Sequence, residues 1–68
     1  MIVVEFAAEI RKELRVQMNE RADALATGAA RSYDHYQNMV GEITGLAIAE
    51  RVLLDAAERL ERGQPNDN

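Results

Sequence analysis

No cysteine occurs among the 68 residues, so no disulfide can brace the fold. That matters in a chain this short, because a small domain builds a modest core and usually adds disulfides, a metal or partner subunits. A zinc site is short of ligands as well: thiolates are absent and His35 is the sole histidine. Oligomerisation or a larger partner is the remedy left. Cysteine-free composition suits a reducing compartment. The N-terminal stretch places Glu5 and Glu9 ahead of its first basic residue, the reverse of a secretory signal peptide. No run approaches the roughly 20 apolar residues that span a bilayer. These absences predict a soluble protein, neither secreted by a signal peptide nor transmembrane.

A basic excess is missing too. Net charge is −4, and it is unevenly placed. Acids and bases cancel over residues 1–31, five of each, so the imbalance lies in 32–68, where seven acids face Arg51, Arg59 and Arg62. The cluster Arg11, Lys12 and Arg15 is interleaved with Glu9 and Glu13. Duplex DNA attracts basic patches, so the balance argues against a nucleic-acid partner.

What is present is helical periodicity. From Tyr33 to Arg62, Tyr36, Met39, Ile43, Leu46, Leu53, Ala57 and Leu60 follow alternating steps of three and four, an a/d series interrupted once by Glu50. Val40, Ala47 and Leu54 widen this stripe to a core-facing breadth. A second uncharged face, Gly41, Gly45, Ile48 and Val52, lies roughly opposite. A helix apolar on two sides needs two partners.

The first half supplies one of them. Val3, Phe6 or Ala7, Ile10, Leu14, Met18, Ala22 and Leu25 recur about every 3.7 residues, the period of a nearly straight helix. Good helix formers dominate here, and Glu5 and Glu9 suit the positive end of the helix dipole. Met1 to Val4 reads either as an extended lead-in or as the first helical turn. The periodicity predicts a helix over about 3–27, a turn over 28–32 and a helix over about 33–62. Gly28 takes the left-handed position after the first helix, and Ser32 is the N-cap of the second, with Asp34 in its first turn. So short a connection joins antiparallel neighbours. One long helix running through Gly28 is the competing reading, since an interior glycine costs only about 1 kcal/mol. Asp55–Arg59 and Glu58–Arg62 are spaced for i,i+4 ion pairs. Gly63 and Pro65 end the second helix, and 63–68 is a polar tail.

Residues able to carry chemistry do not form a constellation. His35, within Ser-Tyr-Asp-His-Tyr, has an aspartate beside it, but a general base also needs a nucleophile, an oxyanion site and a pocket. Glu5, Glu9 and Glu13 line a charged face without the Glu-x-x-His spacing of di-iron bundles. Tyr33 and Tyr36, one turn apart, lack the basic groove that base stacking requires, and antiparallel pairing predicts that they cover Leu25, Ala22 or the turn. No catalytic, cofactor-binding or metal-ligating residue is assigned. Gly41, Gly45 and Ala49 form a small-xxx-small stripe, and two interior glycines cost about 1 kcal/mol each unless another backbone or a bulky side chain docks there. The expected protein interface is therefore Gly41, Gly45, Ile48, Ala49 and Val52. Glu50 is read in three ways: a register device, an interhelical partner of Arg21 or Arg15, or an edge residue reaching water.

The stretch Ala24-Leu-Ala-Thr-Gly-Ala-Ala, followed by Tyr33-Asp-His-Tyr-Gln-Asn-Met-Val-Gly41-Glu-Ile-Thr-Gly45-Leu, resembles short helical-hairpin proteins of unassigned role encoded by tailed bacteriophages. The shared pattern is a helix, a small-residue connection, a Tyr-x-x-Tyr step and a second helix with Val-Gly-x-Ile-x-Gly-Leu. It covers roughly residues 20–58. Genes of that group lie near those for virion structure and assembly, and the resemblance implies no catalytic residues.

Together these readings predict an all-α antiparallel helical hairpin, completed by itself as a homo-oligomer or by a larger virion protein. The expected function is a non-enzymatic structural or assembly component of a phage particle, found in the virion or the host cytoplasm. No small-molecule substrate, cofactor, nucleic acid or membrane is expected as a partner. The alternative is a small regulatory module, an inhibitor or adaptor of a host or phage protein. A DNA-packaging or transcription accessory factor ranks below that, because of the charge.

Overall fold

The computed structural model describes residues 2–63. Met1 and residues 64–68, which hold most of the polar tail, lie outside the described residues. Two helices account for the fold: α1, Ile2–Ala26, and α2, Tyr33–Glu61. They pack against each other as an antiparallel hairpin, the all-α architecture that the periodicity predicts. Of the two readings of the N-terminal stretch, the helical one holds from Ile2 onward.

The reversal is built from local hydrogen bonds. Gly28 has φ +80°, a conformation open to glycine because it has no Cβ to strain. That geometry lets the Gly28 N–H donate to Leu25 O at 3.1 Å and the Ala29 N–H donate to Ala24 O at 2.9 Å. The two bonds form a Schellman motif, which satisfies the last carbonyls of α1 and rules out a helix running through Gly28. Ser32 then takes an extended conformation and opens α2: its Oγ accepts from the His35 N–H at 3.0 Å. The His35 ring reaches back, its Nδ1 accepting the Arg31 N–H at 3.1 Å. This resembles a capping box, with imidazole where glutamate usually stands. At the far end Gly63 repeats the left-handed stop, with φ +75°.

The seam between the helices is thin. Ala7, Met18 and Met39 are its buried apolar residues, with 5 to 9% of their surface exposed, and among the described residues no side chain is fully enclosed. Each methionine contributes about 2 kcal/mol by leaving water. Ile10, Leu14, Leu25, Ile43, Leu46 and Leu53 are half-buried. Three positions of the a/d stripes fall outside the seam: Ala22 is exposed, Tyr36 is 45% exposed and Leu60 58%. Register explains two of them. With Arg21 across from Glu42 and Arg15 across from Glu50, Leu60 stands opposite Val3 and Tyr36 opposite Thr27, where α1 runs out. Ala22 lies on the flank, which a single facing helix does not reach.

Tyr33 and Tyr36 stack on each other, ring centroids 6.3 Å apart, with Tyr33 71% and Tyr36 45% exposed. The Tyr33 hydroxyl accepts from Gln37 Nε2. Of the two i,i+4 pairs, Glu58–Arg62 forms at 3.0 Å, whereas Asp55 and Arg59 make no ion pair among the described residues.

Candidate protein-contact surfaces

The seam brings together a buried carboxylate and two arginines. Glu50 interrupts the apolar stripe of α2 at a position facing α1, and only 8% of its surface is exposed. Burying a lone carboxylate is costly, so it must be paired. Arg15 binds it with a fork: Nε donates to Oε2 at 2.8 Å and Nη2 to Oε1 at 3.1 Å. Arg11, one turn earlier, donates from Nε to Oε2 at 2.8 Å. Hydrogen bonds from Arg15 and then Arg11 lower the Glu50 pKa, and together they outweigh the loss of water, which acts in the opposite direction. Among the three readings of Glu50, the ion pair with Arg15 holds. Arg11 joins it in place of Arg21, which donates to Glu42 at 2.9 Å and to Gln17 Oε1 at 2.8 Å. The signal for Arg11 was its i,i+4 relation to Arg15, which puts both guanidiniums on one flank of α1.

The stripe Gly41, Gly45, Ile48, Ala49 and Val52 is exposed along the outside of α2. Ile48 is 52% and Val52 61% exposed. A Cβ built at Gly41 or Gly45 meets no atom within 4 Å, so nothing inside the hairpin requires glycine at either position. These residues thus sit together on one helical face, with α1 taking no part in it.

A second surface did not emerge from the periodicity. Val4 and Ala8 of α1 and Leu54 and Ala57 of α2 line an open apolar groove of roughly 540 Å³ near the terminal end of the hairpin. Its α1 rim carries Arg11, Lys12 and Arg15, and its α2 rim carries Glu58, Glu61 and Arg62, with Arg62 paired to Glu58 at 3.0 Å. Val4 and Leu54 remain 47% and 41% exposed. The heptad count assigns Leu54 to the edge of the core stripe, but one facing helix covers only part of so broad a stripe.

Among the described residues no group of three or more His, Asp or Glu side chains converges to hold a metal. His35 is half-buried in the first turn of α2, with its Nδ1 occupied by the Arg31 N–H. The described helices include none long and apolar enough to cross a membrane. No protein-family model, curated protein or solved structure matches the chain.

Proposed function

We propose that this hairpin is a non-enzymatic structural or assembly protein of a bacteriophage particle, acting by helix–helix contact in the virion or the host cytoplasm. One observation carries the contact mode: the outer face of α2 offers two glycines with open space above them, flanked by Ile48 and Val52, both more than half exposed. Interior glycines weaken a helix, and close approach of another helix is the gain that offsets the loss. The bacteriophage setting is supported by the Tyr-x-x-Tyr and Val-Gly-x-Ile-x-Gly-Leu pattern. Partners on this reading are further copies of the chain or a larger virion protein.

Gly45→Leu tests it. The bulky side chain fits the isolated hairpin, so helicity should persist by circular dichroism while co-assembly with virion proteins is lost. A variant that assembles like the parent defeats the close-contact reading. The second reading, a regulatory inhibitor or adaptor, is favoured by the acidic second half of the chain, where Asp55, Glu58 and Glu61 follow one another along α2. Specific recovery of a host enzyme and no virion protein would favour it over assembly.

A further inference from the structure

His35 works twice at the start of α2. Its backbone N–H donates to Ser32 Oγ at 3.0 Å, and its ring Nδ1 accepts the Arg31 N–H at 3.1 Å. The two bonds tie the end of the connection to the first turn of the helix. Arg31 lies beyond the Schellman pair, which closes at Ala29, and among the described residues Nδ1 is the acceptor of its N–H. An imidazole accepts only through an unprotonated nitrogen, so the bond requires the neutral ring with its hydrogen on Nε2. A second proton makes both nitrogens donors, and N–H then faces N–H. Glutamate, the usual residue at this place in a capping box, stays an acceptor near neutral pH. Histidine changes charge there.

We propose that His35 is a pH-sensitive latch on the hairpin turn: neutral, it holds Arg31 against the first turn of α2, and protonated, it lets go. The helix acts in the same direction, because an imidazolium here would stand at the positive end of the α2 dipole. Neighbouring charges do not reverse this. Arg31 and Asp34 flank the ring in sequence with opposite signs, both exposed to water. With Arg21 across from Glu42, His35 stands level with Gly28, past the end of α1. The last charged residues of that helix are Arg21, held by Glu42, and the exposed Asp23. Tyr33 and Tyr36 are the remaining titratable neighbours on α2, stacked on each other. The bonds at Gly28 and Ala29 and the seam do not use the ring. Acid therefore loosens residues 30–36 while the helices stay docked. The latch does not depend on what the hairpin assembles with.

Proton–nitrogen NMR spectra of the full chain, taken from about pH 8 to pH 5, test it. The Arg31 amide should move with the same midpoint as the His35 ring, while the Met39 amide, inside α2, stays in place. Relative to an unstructured peptide at the same pH, Arg31 exchange with water should speed up at least about fivefold in acid. His35→Gln keeps a side-chain acceptor at every pH, so its Arg31 amide should not shift. Carboxylates are common to both proteins, and the parent should lose about 4–8 °C of melting temperature relative to His35→Gln over this range. An Arg31 amide indifferent to the His35 titration, or a melting difference constant with pH, overturns the latch. If His35→Gln does not fold, the Arg31 response in the parent decides alone.

Discussion

Arg15 grips both oxygens of Glu50 from the facing helix, with Nε 2.8 Å from Oε2 and Nη2 3.1 Å from Oε1. The burial of the pair is lopsided. The Glu50 side chain is 11% exposed, but those of Arg11 and Arg15 are 51% and 55% exposed. Removing the acid therefore strands no buried charge, because both guanidiniums already reach water. Removing the bases leaves a carboxylate with no partner in the seam. The double variant Arg11→Ala/Arg15→Ala should lower the melting temperature by about 10 °C. Glu50→Leu, which completes the a/d stripe, should melt at or above the parent. Thermal melts followed by circular dichroism compare them, and a Glu50→Leu drop as large as that of the arginine pair would refute the asymmetry.

Acid should act through the same carboxylate. The Arg15 and Arg11 guanidiniums hold the Glu50 pKa below its ordinary value, so the folded state binds this proton more weakly than the unfolded chain. The resulting stabilisation is present in full above the unfolded pKa and disappears as pH falls through the lowered folded one. Parent and Glu50→Gln should thus differ most near neutrality and converge in strong acid. Melts from pH 7 to pH 2 would show it; a difference that stays constant with pH argues against a charge effect.

The glycines of α2 should be replaceable in the isolated hairpin. With open space at both Cβ positions, Gly41→Ala and Gly45→Ala should each stabilise the hairpin by about 0.5–1 kcal/mol through helix propensity. Urea denaturation at high dilution measures this without contribution from assembly. A loss of stability there would mean that something in the hairpin itself needs the glycine.

The turn should be less tolerant. Gly28→Ala forces a Cβ into a backbone with φ +80° and should cost about 1 kcal/mol. Ser32→Ala removes the acceptor for the His35 N–H and should cost about the same. Gly28→Asn, which tolerates the left-handed region better, should fall between Gly28→Ala and the parent. If Gly28→Ala is as stable as the parent, the Schellman turn is not what ends α1.

Much of this was legible along the chain. The helices, the stop at Gly28 and the start at Ser32 depend on interactions within about five residues: backbone hydrogen bonds, a cap and one left-handed glycine. Such features are written in contiguous sequence. The outer stripe from Gly41 to Val52 was readable for the same reason, since helical spacing alone places those residues on one face.

Register across the seam was decided only by the tertiary structure. Arg15 and Arg21 were both candidate partners of Glu50 and Arg11 was not, because a guanidinium on a long stem covers more than one helical turn and spacing alone leaves the register open. The docked helices give Arg11 and Arg15 to Glu50 and leave Arg21 with Glu42. The same docking exposes Tyr36 and Leu60 at the ends of the seam and opens the groove between Val4, Ala8 and Leu54. Periodicity says which side of a helix is apolar. How much of that side is covered depends on the width and length of the partner helix, and a single α1 covers only the central strip of α2.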